Sequence, residues 1–176
     1  MATPTPATGS SDRRRLVIRA GVAIAVGLLV LVALTAEPFD PVGLGPGQDA
    51  RAYWVAWVGS PYAAGSVGQE SAYLYSPAFL QALAPLRLLP WTPFLVAWTG
   101  ILLLVLRALA GPLLFAPLLV LAFPELWGGN ITILLAGAVV LGFRFAGAWA
   151  LPLLTKVTPG AGALWYLVRK EWRNAA

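Results

Sequence analysis

A polytopic bundle of transmembrane α-helices is the fold this sequence predicts, and three observations predict it. The 176 residues are 59% hydrophobic and only 11% charged, whereas soluble domains are about 25% charged. The apolar residues come in long blocks rather than in strand alternation or helical striping, so lipid is the expected solvent. The few charges are also segregated. Arg13, Arg14, Arg15 and Arg19 surround the start of the first block, and Arg169, Lys170 and Arg173 close the chain. Basic clusters beside apolar spans mark cytoplasmic flanks. The net charge of +5 is therefore a topology signal, and no nucleic-acid partner is expected because no basic folded face is visible.

Taken in order, the segment "MATPTPATGSSD" is small, polar and rich in Pro, Thr and Ser. It predicts a disordered cytoplasmic N-terminus over residues 1–15. The block from Leu16 to Ala36 is long enough to cross a bilayer and too long for a signal-peptide core, so residues 16–36 form an uncleaved first span. Residues 37–75 change character: Glu37, Asp40, Asp49 and Glu70 stand against the single base Arg51, around the Gly/Pro-rich "DPVGLGPGQ". The reversed sign predicts an extracytoplasmic loop. Within it "DARAYWVAWV" lacks Pro and Gly and reads as a short interfacial helix, its Tyr and Trp suited to the headgroup layer.

Residues 76–168 carry the remaining spans. "SPAFLQALAPLRLLP" (76–90) is a second span interrupted by Pro85, and "WTPFLVAWTGILLLVLRALA" (91–110) is a third. "GPLLFAPLLVLAF" (111–123) is short enough to be a half-span. "NITILLAGAVVLGF" (130–143) and "GAWALPLLTKVTPGAGALWYLV" (147–168) complete a bundle of about six spans. Residues 169–176 form a basic cytoplasmic C-terminus, which places the chain in the plasma membrane as a multi-pass protein with its N-terminus in the cytoplasm. Arg107 and Arg144, at span ends, are able to snorkel to either interface.

The chain has no Cys and no His. That excludes disulfides, thiolate nucleophiles and the commonest metal ligand, leaving Asp, Glu, Lys and Tyr for acid–base work. Two residues then stand out. Asp49 opens the interfacial helix, where it is either an N-cap or a carboxylate available for chemistry; Tyr53 and Trp57 follow it on one face, at helical spacing. Lys156 falls in the middle of the last apolar block, beside "VTPGAG". A lysine at that depth is either a functional cation in a broken helix or a residue at an interface. Tyr73 and Tyr75 in "YLYSP" lie at aromatic-belt depth, and "PELWGGN" with Glu125 reads as a turn. No nucleotide-binding or common hydrolase motif occurs.

The order of "DARAY", "GSPY", "YLYSP" and "LAPLRLLPW" between Asp49 and Trp91 resembles the start of glycosyltransferase family 87, whose pattern runs D-x-x-x-Y, G-x-x-Y, Y-x-Y-P-P and P-L-x-x-L-P. Further on, "WGGNITILLAG" resembles that family's G-Q-N-x-L-L segment, and "LLTKVTPGAGALWYLVRKEWR" its K-P-x-P segment. Ser76-Pro77 stands where the family has Pro-Pro, Gly129-Asn130 where it has Gly-Gln, and Val157-Thr158 interrupts the Lys-Pro pair. Members are longer than this chain, so the resemblance covers an N-terminal half.

The resemblance implies a truncated membrane-embedded fold of the GT-C type that transfers a hexose, mannose above all. The donor would be a polyprenyl-phosphate sugar and the acceptor a lipid or glycan at the extracytoplasmic face. It implies Asp49 as catalytic base, Lys156 on the donor phosphate, and Tyr53, Tyr73, Tyr75 and Asn130 as substrate-binding residues. Neither metal nor other cofactor is implied, and a second polypeptide supplying the missing half is an expected partner. A non-catalytic membrane interaction protein is the alternative. A small transporter built around Lys156 ranks last, because it leaves the carboxylate and aromatics of the loop unexplained.

Overall fold

The computed structural model describes residues 8–37, 45–56, 60–63, 72–155 and 168–170, and its regular elements are helical. Helix α1 spans Thr8–Thr35, so residues 8–15 extend the first helix rather than standing outside it. The prolines stop at Pro6, and a helix already nucleated by the apolar block propagates easily through the arginines that precede it. A single stripe of α1, formed by Gly21, Leu28 and Val32 with Ala25 partly covered, faces the protein. Val22, Val26, Val30 and Leu34 on the other faces are exposed. A helix that is apolar all round yet covered along one stripe is suited to lipid surroundings.

The second predicted span does not form as a span. Residues 76–90 give helix α3, Pro77–Ala82, and one 3-10 turn, Leu86–Leu88; helix α2, Gln48–Val55, precedes them. Six residues of helix rise about 9 Å, against a hydrocarbon core of about 30 Å. Ser76 caps α3 by accepting from Phe79 N at 3.4 Å, with Pro77 in the first turn. Pro85 ends it, since its ring nitrogen has no hydrogen to carry the helical ladder on. Arg87 then donates to the carbonyls of Trp54 and Ala56. This ties the segment to the loop above instead of letting it cross.

The third and fourth apolar blocks join in helix α4, Trp91–Leu121, which is broken at Gly111 (φ 67°, ψ 176°). The chain turns back there. Arg107 stands 5.8 Å over the Phe115 ring, whereas eight residues of unbroken helix would separate those positions by about 12 Å. The descending limb, Trp91–Ala110, is about 30 Å long, the thickness of a hydrocarbon core. The ascending limb continues through helix α5, Phe123–Gly128, until Gly129 O accepts from Trp98 Nε1 at 2.7 Å. The block expected to be a half-span thus begins a full return, and "PELWGGN" is helix as far as Gly128 rather than a plain turn.

Helix α6, Thr132–Gly142, descends again beside α4, with Gly137 against Val105. A 3-10 turn, Ala146–Trp149, leads into helix α7, Ala150–Thr155, whose Leu154 O accepts from Ser76 N at 3.3 Å. Lys156 lies outside the described residues. Helix α1 runs antiparallel to the first limb of α4: Thr92 Oγ1 donates to Ala36 O at 3.3 Å, while Gly21 touches Phe115.

Two ends of the molecule follow from this path. One holds Asp49, Arg51, Arg87, Glu125 and the tops of α4 and α6. The other holds the N-terminal arginines of α1 together with Arg107 and Arg144. By length and composition two helices are able to cross a membrane, Ser11–Thr35 and Trp91–Leu121, and this supports membrane association.

Candidate functional site

The end that carries Asp49 is assembled around Gly47. Its backbone is left-handed (φ 87°, ψ 24°), a conformation that costs other L-residues about 1–2 kcal/mol. Its N–H donates to Trp127 O at 2.7 Å, and its carbonyl accepts from Arg51 N at 2.8 Å, starting α2. A β-carbon on Gly47 would stand 2.6 Å from Leu95 Cδ1. This corrects one sequence expectation. Gly47, not Asp49, is the N-cap, and no side chain caps the helix. The loop's docking onto Trp127 starts α2 before Asp49, so Asp49 falls in the first turn with its carboxylate exposed.

That carboxylate is held from the far side of the sequence. Asn130 Nδ2 donates to Asp49 Oδ2 at 2.8 Å. Asn130 Oδ1 accepts from Thr132 N at 3.0 Å and from Thr132 Oγ1 at 2.7 Å. With its oxygen occupied by two donors, the amide has one orientation, and its nitrogen faces Asp49. Gly129, left-handed at φ 67°, closes α5 and presses against Ala50, bringing Asn130 onto α2.

Beneath the carboxylate lies an aromatic cluster. Tyr53, one helical turn after Asp49, is wholly buried. Its ring sits edge-on to Tyr75, Phe79 and Trp98, with centroids 5.3, 5.5 and 5.6 Å away. Its hydroxyl is 3.2 Å from that of Tyr75. Tyr73 is buried and donates to Ser76 O at 2.7 Å. Tyr53 and Tyr73 thus have no ring face open to a sugar, and Tyr75 is the partly exposed member of the group. Trp57, expected on the same face as Tyr53, lies outside the described residues.

Glu125 is the residue that sequence reasoning passed over. Its Oε2 is buried without a hydrogen-bond partner among the described residues, and its charge, like that of Asp49, opposes ionisation of Tyr75. The available signal was isolation: Glu125 is the sole acid between Glu70 and Glu171. Thr132, which orients Asn130, carried no signal. Among the described residues no three acids gather as a metal site.

Burial is the first cause that raises the pKa of Tyr53, with Tyr75 next and Asp49 adding to it. Burial likewise leads for Tyr75, followed by opposing effects in which the Tyr53 hydrogen bond lowers it and the two carboxylates raise it. Tyr73 is pushed up to about 12, by burial and then by Tyr62. A phenol whose pKa is raised by folding contributes its full stability below the ordinary value of 10.0 and loses it as the pH climbs through the folded value. Of the five tyrosines, Tyr53 and Tyr73 are expected to stay un-ionised in the folded protein at about pH 11. Spectrophotometric titration should show their phenolate absorbance appearing in one step with the loss of helical circular dichroism. A smooth titration near pH 10 with helicity intact would contradict the burial.

Set against protein-family models, curated proteins and solved structures, the chain matches none of them.

Proposed function

We propose that this chain is a membrane glycosyltransferase of the lipid-phosphate-sugar type, with Asp49 as its base at the extracytoplasmic face. The observation that carries the reading is the carboxylate itself. It is exposed, lies in the first turn of α2 and is oriented by Asn130, in a segment whose motifs resemble family 87. In the proposed step the acceptor hydroxyl oxygen bonds to the anomeric carbon of the donor sugar. The bond from that carbon to the phosphate oxygen breaks, the polyprenyl phosphate leaves with the electron pair, and Asp49 takes the hydroxyl proton. A carboxylate suits the task because the hydroxyl becomes acidic only as the new bond forms. Lys156 is proposed to hold the departing phosphate. Asn130 acts as the positioning residue for Asp49, and Tyr75 as the polar wall of the sugar site.

The test is incubation of the reconstituted chain with polyprenyl-phosphate mannose and a lipid or glycan acceptor, reading sugar transfer directly. Absence of transfer from folded protein would favour the non-catalytic reading.

The distribution of charge supports the orientation. Arg13, Arg14, Arg15, Arg19, Arg107 and Arg144 share the end opposite Asp49, as cytoplasmic flanks do. Because the chain has no cysteine, single-cysteine labelling gives a clean check. In intact cells Gln48→Cys is expected to react with a membrane-impermeant maleimide. Phe145→Cys is expected to react only after permeabilisation. The reverse pattern would place the site in the cytoplasm and remove the donor's leaflet from the proposal.

A further inference from the structure

The groove at the basic end, between α4, α6 and the turn leading into α7, is used by nothing in the proposed reaction. Its volume is about 710 Å³, within the roughly 300–1,000 Å³ of small-molecule sites. Val105, Leu109, Gly137, Leu141 and Leu151 line it, and Arg144 is the sole charged residue among its walls. The guanidinium of Arg144 is exposed and makes no ion pair among the described residues. Arg144 lies just past the end of α6, twelve residues beyond Thr132 and so about 18 Å from the Asp49 end. The groove opens onto a surface where Leu109, Val140, Leu141, Phe143 and Phe145 are exposed, which is lipid-facing in the membrane reading. A ligand that enters from that side is apolar along its body and meets one cation at the headgroup depth, where arginines are able to snorkel to phosphate.

We infer that this groove binds one anionic phospholipid of the cytoplasmic leaflet, an acyl chain lying along α4 and α6 and the phosphate on Arg144. Arg144 is about 18 Å from the Asp49 end, and the groove runs from it along α6 as far as Leu134. The site does not rest on sugar transfer, only on membrane embedding and on the orientation that sets the basic end in the cytoplasm. The anion complements Arg144, and the apolar walls complement the chain; a free phosphate would use the first and waste the second.

Native mass spectrometry of the full chain in detergent, with phosphatidylglycerol or phosphatidylcholine of identical acyl chains, tests this. Wild type is expected to retain one phosphatidylglycerol, preferred by about fivefold, the effect of one arginine at an anionic headgroup. Arg144→Gln is expected to abolish the preference and Arg144→Lys to keep it. Ala148→Trp, which fills the groove, should lose both lipids. Equal retention of the two lipids by wild type would overturn the site, as would a preference that survives Arg144→Gln. Displacement by inorganic phosphate would reduce it to a surface anion contact. Should Ala148→Trp not fold, the wild type decides: six-carbon acyl chains must bind far more weakly than sixteen-carbon chains, and equal binding would exclude the groove.

Discussion

Asp49→Asn is expected to slow sugar transfer by about a hundredfold to ten-thousandfold, the range that a positioned general base supplies, while leaving the protein folded. The two halves of that expectation have separate origins. The rate loss follows because an amide has no basic oxygen to receive the acceptor's proton. The retained fold follows because the carboxylate is exposed, and substitutions at such positions usually move stability by only about 0.5 kcal/mol. Asparagine at 49 also keeps an oxygen that accepts from Asn130 Nδ2, now without the charge that strengthens the bond.

Asn130→Ala supplies the contrast. It leaves the base present and removes the group that aims it, so a smaller loss in kcat is expected, roughly tenfold, with little change in KM for the donor. Initial rates with polyprenyl-phosphate mannose in proteoliposomes, beside circular dichroism of the same samples, separate the outcomes. A fully active Asp49→Asn protein would remove Asp49 as the base. An Asn130→Ala protein as impaired as Asp49→Asn would show that Asn130 does more than aim the carboxylate.

Much of this architecture was readable in the residues, and the failures have physical causes. The first long helix was legible because a block of about 20 residues, apolar but for Arg19 and preceded by three arginines, has few other solutions. The span expected over 76–90 was a misreading of composition. Its apolar content is high, but Pro85 and Arg87 serve a loop that is pinned to Trp54 and Ala56, a long-range contact that no local pattern announces. The fold-back at Gly111 was half visible: a glycine followed by Pro112 inside an apolar run is a break signal. Length alone suggested a half-span, because α5 was read as turn rather than as the continuation of the returning limb.

At the site, Asp49 was legible from its loop and its charge. Its holder, Asn130, entered only through resemblance, and Thr132 and Glu125 did not enter as site residues at all. The reason is common to all three. Their roles depend on the 128–130 turn docking on α2, eighty residues away in sequence, and a polar residue's partner at that separation leaves no periodicity to read.

That docking is the most fragile point in the structure, and Gly129→Ala is the substitution expected to expose it. The residue is left-handed at φ 67°, and an added β-carbon would stand 2.6 Å from Ala50 Cβ. A left-handed non-glycine costs about 1–2 kcal/mol, and overpacking of a closed contact about 1–3 kcal/mol, so the total is about 2–5 kcal/mol. Against a stability of about 5–15 kcal/mol for a typical protein, that is a large share. Neither partner yields easily, since both clashing atoms are fixed to backbone: one on α2, the other on a turn whose carbonyl is held by Trp98.

Gly147→Ala is the control, because that position has open space around it and no left-handed backbone; it is expected to be neutral. The decisive comparison is the double variant Gly129→Ala with Ala50→Gly. Removing the Ala50 methyl costs about 1 kcal/mol of helix propensity by itself, yet it opens the space that the new methyl needs. The pair is therefore expected to be less destabilised than the sum of its parts, with the left-handed strain at residue 129 remaining. Thermal unfolding in detergent measures the four variants against the wild type. Strict additivity would mean that α2 and the 128–130 turn do not approach closely, and the hold of Asn130 on Asp49 would fall with that contact.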